Sequence, residues 1–584
     1  MQDPFNAPKF WVLLLGAAWL SGYLISIPTS YQVTQNQVLK RSIFYTLIFV
    51  FLSMVALFTS RNQQIALFGD NMRKNGFLTY LALTVFFLVT TTYLTKNNLH
   101  QLFKFMLLSA YVVGGYAILQ ITGNDFIPWS ASGMAIFSTF GNSNFAGSAM
   151  AILAIITLGG AYVYRKTTWL MVASITAFVI LSITIFPTNA RQGLLLLLFG
   201  VGALTVVLIY NANRLLGRIS ITLSAIGFLA AILGMLQIGP LERFLYKDSV
   251  SVRGYYWRAG INMFQDNFWF GVGLDNYGSF FKQYREVGYP LKYGYSLTST
   301  NAHNVFIQHF ATGGLFVGIS YLLLTIFIFW RGLKSMKHFK GDERFLRSVF
   351  FIAWLAFQGQ SLISIDNIGI SIWGWVIGGV VVALSNNPNG SVSGKTGLII
   401  NDKRRKPGFD LIQPIFSALL GTLTLLLVLF LQRGESAVFK QRAAYNPAIP
   451  AQKEIFFQMA TKTINTPLID LQNKVLTATY LHGMGYKAEA ITLLEQLHAE
   501  DPYNLDTLTF LSSYYEMSNE IPKALNLRKK ISALDPWNAN NFLQMAFDYK
   551  YIGDKLNQKF YLDKVLSFAP NDESVLKVKP ELEQ

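Results

Sequence analysis

Arg191 is a charged residue inside the stretch 169–210, which is otherwise almost entirely apolar. The apolar run is interrupted only by Pro187-Thr188-Asn189-Ala190-Arg191-Gln192-Gly193. Its length fits two membrane helices of about 20 residues each, with Arg191 in the turn between them at the membrane boundary. A guanidinium in such a position is costly and usually has a function. We expect Arg191 to bind the phosphate of a lipid-linked molecule.

A second set of candidate residues lies in the long polar segment 239–311, which is rich in aromatic and basic side chains. The aromatic face of Trp257 suits the apolar C–H surface of a pyranose ring, and the guanidinium forks of Arg253 and Arg258 suit phosphate. These arginines are five residues apart and are expected to flank one helical surface. The alternative is an amphipathic element that lies on the membrane with its Trp and Tyr side chains at the interface.

His303 directly follows this segment's aromatic part and precedes the next apolar run. An imidazole is a plausible general base near neutral pH, although a His at a membrane boundary can also be a polar residue whose hydrogen bonds are simply satisfied. Asp366, or an acid of the polar segment such as Asp248, is the alternative proton acceptor. Asn142 and Asn144 could hydrogen-bond a sugar, or could cap the start of a helix.

The sequence argues against several other kinds of chemistry. It contains no cysteine, which excludes disulfides, thiolate catalysis and cysteine metal sites. The segments predicted outside the membrane show no Asp-x-Asp pair and no His/carboxylate cluster with metal-ligand spacing. We therefore expect neither a metal nor a cofactor. Nothing resembles a nucleic-acid-binding module.

The composition predicts an all-α polytopic membrane protein. The chain has 584 residues, of which 52% are hydrophobic and 14% charged, whereas a soluble domain has about 25% charged residues. Mean hydropathy is +0.36. About twelve apolar runs are long enough to span a bilayer. They lie near 10–27, 43–59, 77–94, 104–121, 147–164, 169–186, 193–210, 219–238, 312–330, 348–364, 370–385 and 411–431.

The basic loops predict the orientation of these spans. Loops 331–347 and 386–410 are rich in Lys and Arg and are expected in the cytoplasm. The Arg191 turn, segment 239–311 and everything after about Leu431 then lie outside the cytoplasm. The same count also places the N-terminus and the basic residues Arg61, Arg73 and Lys74 outside. Either one early span is miscounted, or these residues are kept outside for function.

The C-terminal part has a different character. Pro502, Pro536 and Pro570 are each 34 residues apart, and Gly485, Asn519 and Gly553 keep the same step. This period resembles tetratricopeptide repeats, which usually bind a partner or brace a neighbouring domain. Residues 434–584 carry 16 basic and 18 acidic side chains, so the net charge of +17 comes from residues 1–433. That excess reflects positive-inside orientation, anionic lipid or substrate partners, or both. We predict a transmembrane domain over 1–433 with segment 239–311 inserted, then a helical-repeat domain over 434–584.

Several motifs, in order, resemble those of the bacterial O-antigen ligase and polysaccharide polymerase superfamily. His303-Asn304, nine residues and Gly314-Leu315 resemble its His-Asn-x9-Gly-aliphatic motif. The resemblance covers roughly 43–385. The other matching segments are Gly141-Asn142-Ser143-Asn144, Asn189-Ala190-Arg191, Arg253-x-x-x-Trp257, Gly271-x-Gly273, and Gln360 with Asp366-Asn367 before Trp373.

The resemblance implies a metal-independent membrane glycosyltransferase of the bacterial inner membrane. Its donor would be an undecaprenyl-diphosphate-linked glycan, and its acceptor a lipid A core, another glycan or a protein hydroxyl. Arg191 and Arg253 would bind and neutralise the diphosphate, and His303 would help activate the acceptor hydroxyl or position the donor. We expect substrate contacts from Arg258, Asn142, Asn144, Asn304, Asp366 and Trp257.

The alternative class is a non-enzymatic membrane protein, either a transporter or a scaffold whose C-terminal repeats recruit a protein partner. A secondary transporter is expected to show ionisable residues or broken helices near the bilayer midplane, often in two related halves. The sequence shows neither such charges nor repeated halves.

Overall fold

The computed structural model of this protein describes residues 5–25, 36–127, 129, 135–235, 237–240, 242–245, 248–385, 412–449 and 452–583. Within these ranges the regular structure is helical and no strand occurs. The prediction of an all-α polytopic membrane protein is confirmed.

A bundle of long apolar helices forms the first part of the chain. It comprises α1 (Asn6–Ile25), α2 (Gln37–Thr59), the short α3 (Gln63–Phe68), α4 (Phe77–Tyr93), α5 (Lys96–Ile121), α6 (Ser143–Val163), α7 (Thr168–Ile185), α8 (Arg191–Ala212) and α9 (Arg214–Met235). After the polar segment it continues with α14 (Val305–His338), α15 (Gly341–Ser361), α16 (Ile368–Ser385) and α17 (Ile412–Ala444). Ten described helices are long and apolar enough to span a membrane. The 17-residue α4 and the more polar α15 pack with them, so the expected count of about twelve spans stays a prediction.

The polar segment folds as a small helical unit of its own. Its helices are α10 (Glu242–Leu245), α11 (Asp248–Asp266), α12 (Tyr277–Tyr284) and α13 (Gly288–Tyr293). Apolar side chains from α11, α12 and α13 form a core that also includes Ala311 of α14. Phe268, Trp269 and Phe270 remain exposed. The unit therefore has a packed interior, and only its aromatic turn has the character of a membrane-surface element.

Helix α14 is interrupted at Gly314, where φ is 68° and ψ is −167°. The turn at 268–273 fills the interruption with three backbone hydrogen bonds: Val272 N–H to the Ala311 carbonyl (3.0 Å), Gly273 N–H to Thr312 (2.9 Å) and Leu315 N–H to Phe268 (2.8 Å). A side chain at Gly314 would collide with the backbone of Trp269. Because backbone meets backbone here, both the close approach and the positive φ require glycine.

The C-terminal part consists of stacked helix pairs. Helix α18 (Lys453–Ile464) comes first, and α25 (Glu573–Glu583) ends the described chain. Between them lie three pairs: α19 (Leu471–Gly483) with α20 (Lys487–Glu500), α21 (Leu505–Met517) with α22 (Ile521–Leu534), and α23 (Ala539–Tyr551) with α24 (Lys555–Phe568). Within the pairs the chain turns at Gly485, Asn519 and Gly553, all with positive φ. The 34-residue step is thus a repeated hairpin, while its identity as a tetratricopeptide repeat stays a prediction. Helix α17 runs through residue 434, so a continuous helix joins the two parts.

Two aspartates at equivalent repeat positions hold the C-terminal part against the other extramembrane segments. Asp501 binds Arg61 at 2.6 Å, and Asp535, 34 residues later, binds Arg285 at 2.7 Å. The second pair is completely buried on both sides, whereas the first is partly exposed. Burial raises the pKa of Asp535, and the charge of Arg285 counteracts part of that effect. A third contact joins the Tyr295 hydroxyl to Asp572 at 2.7 Å.

We expect Arg285→Gln to destabilise the docking of the repeats by about 3–5 kcal/mol, because it leaves a buried carboxylate without its cation. Arg61→Gln is the matched control, because it removes the partner of the equivalent aspartate in the preceding repeat. Its expected cost is about 1 kcal/mol or less because that pair is partly solvated. Thermal unfolding and limited proteolysis of the full chain measure both effects. Replacing the buried pair with Arg285→Met and Asp535→Leu should restore most of the loss. Equal effects of the two single variants would contradict this account.

Candidate functional site

The predicted site residues lie at one end of the helical bundle. Asn304 Nδ2 donates to the Leu362 carbonyl at 2.9 Å, and Gln192 Nε2 donates to the Asn144 carbonyl at 2.9 Å. The Asn75 amide of the α3–α4 connection donates to the Asp366 carbonyl at 2.8 Å. The connections around Arg191, His303 and Asp366, and the start of α6, therefore share the end where the polar segment and the repeats are found.

His303 is held in a fixed position just before α14. Its backbone has a φ of 53°, a left-handed conformation that costs energy in a non-glycine residue. The backbone N–H donates to Asn301 Oδ1 at 3.0 Å, which stabilises the turn. The imidazole stacks on the ring of Tyr256 from α11, with centroids 4.9 Å apart and planes inclined by 23°. The polar segment thus forms one wall around the imidazole.

The electrostatic surroundings keep the imidazole neutral. Burial lowers the pKa of His303 to about 3, and the positive charges of Arg253 and Arg73 act in the same direction. Burial also lowers the pKa of Arg253, but a guanidinium stays protonated in proteins. The site therefore combines a neutral imidazole with two fixed cations from separate segments.

Arg73 is a site residue that motif analysis did not select. It belongs to the α3–α4 connection, and its charge acts on His303 and on the carboxylates of Asp70 and Asp275. The sequence did contain a signal, because Arg73 and its neighbours violate the expected charge bias of the loops. Two explanations were open for these unexpected charges, a miscounted early span or basic residues kept outside for function. The structure favours the second, because it places Arg73 on the same side as His303.

Arg191 begins α8, as the hairpin prediction required, and its side chain is exposed. The first turn of α8 packs tightly on α6, where a side chain at Gly193 would collide with the backbone of Gly147. Gln192 bonds to the Asn144 carbonyl and to Ser148 Oγ, at 2.9 and 2.8 Å. The structure therefore brings Arg191 beside the start of α6. Its predicted part in binding the diphosphate stays a prediction.

Arg258 and Trp257 differ in how their polar atoms are used. Arg258 Nε binds Glu286 at 2.8 Å, and its guanidinium lies 4.8 Å from the Tyr255 ring centroid. The charge of Arg258 is thus already compensated by Glu286. That Arg253 and Arg258 flank one helical surface stays a prediction. The indole N–H of Trp257 is buried, and no acceptor within the described ranges lies in reach of it. A buried donor of this kind favours a ligand that supplies the acceptor.

Two of the three predicted asparagines cap helices with their side-chain oxygens. Asn142 Oδ1 accepts from the Asn144 N–H at 2.9 Å and caps α6. Asn304 Oδ1 accepts from the N–H groups of Phe306 and Ile307, both at 3.0 Å, and caps α14. The helix-capping alternative thus describes Asn142, although its exposed side chain retains its amide donors. The expected sugar contacts of Asn144 and Asn304 stay predictions.

A buried polar cluster adjoins the site. The carboxylate of Asp366 accepts from the Tyr80 hydroxyl at 2.7 Å and from Ser371 Oγ at 2.9 Å. Asp275 accepts from the N–H groups of Asp70 (2.7 Å) and Asn75 (3.2 Å). Burial raises the pKa of Asp366 and raises that of Asp275 to about 7. Through these hydrogen bonds Asp275 joins the polar segment to the α3–α4 connection, and Asp366 joins the α15–α16 connection to α4. The side chain of Asp248 lies outside the described part.

The described ranges contain no group of three or more His, Asp and Glu side chains arranged to hold a metal ion. The charges that are gathered near His303 are guanidinium groups. The arrangement can bind an anionic group beside a neutral imidazole, under aromatic side chains that suit a sugar ring.

Comparison with known proteins agrees with this arrangement. Residues 176–322 match the family model described as O-antigen ligase, and the match includes Arg191, Arg253 and His303. No curated protein matches the chain in sequence. The family match supports a membrane glycan-transfer function of the ligase type. This match covers about a quarter of the chain, and it supports the resemblance of the motifs to the O-antigen ligase superfamily.

Proposed function

We propose that the protein transfers a glycan from an undecaprenyl-diphosphate carrier to an acceptor hydroxyl at the periplasmic face of the bacterial inner membrane. The observation that carries the proposal is that the charges of Arg253 and Arg73 both act on the partly buried, neutral His303. The family match over residues 176–322 supports the reaction class. The carrier is proposed because a diphosphate-linked polyprenol combines the charge that arginines bind with a tail that lies in the membrane.

In the proposed reaction the acceptor oxygen forms a bond to the anomeric carbon while the bond from that carbon to the diphosphate breaks. Negative charge then accumulates on the departing diphosphate. Arg253 and Arg73 would stabilise that charge inside a partly buried site, where fixed cations act more strongly than in water. Arg191 would bind the same carrier from the neighbouring hairpin. Trp257 would donate its indole N–H to the diphosphate or the sugar.

His303 is proposed to receive the proton of the acceptor hydroxyl. Because the imidazole is neutral in the empty site, it can accept a hydrogen bond from that hydroxyl. A bound diphosphate would offset the charges of Arg253 and Arg73, which hold the pKa of His303 down. Donor binding would thereby raise the pKa and make the imidazole a better base when the acceptor is present.

The acceptor is proposed to be a lipid A core or the end of another glycan rather than a protein hydroxyl. A transporter or a repeat-containing scaffold is the non-enzymatic alternative. The interruption of α14 is a feature that such a transporter would share. It lies close to the start of the helix, however, and the loop backbone fills it.

We expect Arg253→Gln and Arg73→Gln each to lower kcat by about 10²–10³, the loss typical of removing one group that stabilises transition-state charge. Lys292→Gln is the matched control, because it removes an exposed cation from the same polar segment. The assay follows transfer from an undecaprenyl-diphosphate oligosaccharide to each acceptor class by the reconstituted full chain. Transfer at the wild-type rate by both arginine variants would refute the site, and no transfer by the wild type to any acceptor would count against the enzyme.

A low pKa of His303 has a measurable consequence in the protein without donor. The imidazole should remain neutral between about pH 5 and 8, whereas an unperturbed histidine titrates near 6.5. Nuclear magnetic resonance of ¹⁵N-histidine-labelled protein in lipid, with His303→Gln to identify the signal, measures this. In Arg253→Gln the midpoint should move upward, because one cation no longer opposes protonation. A wild-type midpoint near 6.5 would contradict the described electrostatics.

Metal independence is the third expected property. Chelation with EDTA should leave the transfer rate of the purified protein unchanged, because the proposed reaction uses guanidinium groups where other enzymes use a divalent ion. The same treatment of a metal-dependent glycosyltransferase provides the positive control. Loss of transfer that added Mg²⁺ or Mn²⁺ restores would overturn this part of the proposal.

A further inference from the structure

A groove lies at the end of the bundle opposite the candidate site. It runs between the start of α2 and the last turns of α14, which are antiparallel neighbours. Four basic residues line its outer end, namely Arg41, Arg331, Lys334 and Lys337. Neither the proposed reaction nor the repeats use any of these residues.

The charges in the groove are of one sign. No Asp or Glu is among the described residues that line it. Arg331 is fixed, because its guanidinium donates to Ser385 Oγ and to the Ser385 carbonyl, both at 2.9 Å. The side chains of Arg41, Lys334 and Lys337 are exposed and form no salt bridge within the described ranges. The outer end of the groove can therefore accept an anion.

The inner end of the groove is apolar. Tyr45 of α2 packs on Phe327 of α14 with ring centroids 5.2 Å apart. Leu323 and Ile326 lie further along α14 toward the middle of the bundle, and their side chains are exposed. From Lys337 to Leu323 the helix rises by about 21 Å. Trp330 lies between the two ends and is 61% exposed. A ligand that fits this profile has an anionic head at the membrane boundary and apolar chains directed into the bilayer.

We propose that the groove binds an anionic glycerophospholipid of the leaflet opposite the candidate site. Arg41, Lys334 and Lys337 contact its phosphate, and its acyl chains lie along Tyr45, Phe327 and Leu323. The indole ring of Trp330 lies at the level of the glycerol backbone, where amphipathic aromatic rings are usual. The bound lipid fills the gap between α2 and α14.

Membrane orientation alone does not account for this arrangement. Any basic residue at this end contributes to orientation, including Lys40, which is adjacent to Arg41 but does not line the groove. What distinguishes the groove is that its charges converge above an apolar channel. Lys40 therefore provides a matched control with the same charge at almost the same depth.

The test uses the emission of Trp330, obtained as the difference between the full chain and its Trp330→Phe variant in lipid nanodiscs. Brominated phosphatidylglycerol and brominated phosphatidylcholine are compared as quenchers. We expect half-maximal quenching by brominated phosphatidylglycerol at a several-fold lower mole fraction than by brominated phosphatidylcholine. Arg41→Gln and Lys334→Gln should each weaken that preference about fivefold, the effect of removing one basic residue near an anionic surface, and Lys40→Gln should leave it unchanged.

Equal quenching by the two lipids would overturn the proposal. So would an equal loss in Lys40→Gln, which would indicate general attraction of the basic surface. Displacement of the lipid by millimolar inorganic phosphate would assign the groove to a free anion and would also overturn it. The variants alter exposed side chains, and circular dichroism verifies that they fold. The readout is independent of transfer, so it does not depend on the proposed function.

Discussion

The structure depends on one backbone interaction, the insertion of the turn at 268–273 into the interruption of α14. The helix gives up part of its own hydrogen bonding at Gly314, and the turn supplies donors and an acceptor in exchange. Buried backbone groups must be paired, so these hydrogen bonds fix the turn of the polar segment against α14. That position sets α11 against α14 and places Tyr256 on His303. The glycines at 271 and 314 thus determine site geometry without being chemically active.

Charge then gives the site its character. Arg253 comes from α11 and Arg73 from the short connection between α3 and α4, and His303 precedes α14. Each element alone would present an ordinary polar residue to water. Together and partly buried, they form a positively charged site with a neutral imidazole, which suits the binding of an anionic leaving group. Asp275 and Asp366 hold the connecting segments together through hydrogen bonds.

The repeats hold the same segments from the other side. Asp501 and Asp535 occupy equivalent positions in successive hairpins and bind one arginine from each of the two extramembrane segments that contribute cations to the site. A repeat array presents equivalent side chains at a regular spacing, which allows one rigid unit to fix two separate segments. The continuous α17 carries this unit directly from the membrane. The C-terminal part is therefore a structural component of the site's framework, whatever else it binds.

The sequence alone determined the class of the protein, the helical hairpin at Arg191, the 34-residue repeat and the motifs around Arg253 and His303. These follow from local patterns, because hydropathy, helix caps and repeat spacing are properties of neighbouring residues. Only the tertiary structure could decide that Arg258 pairs with Glu286 and that Asn304 caps α14. It also revealed Arg73, whose only sequence signal was a charge on the unexpected side of the membrane. These contacts depend on which distant segments meet in the fold. Contacts between residues far apart in the sequence produce no periodic pattern from which they could be predicted.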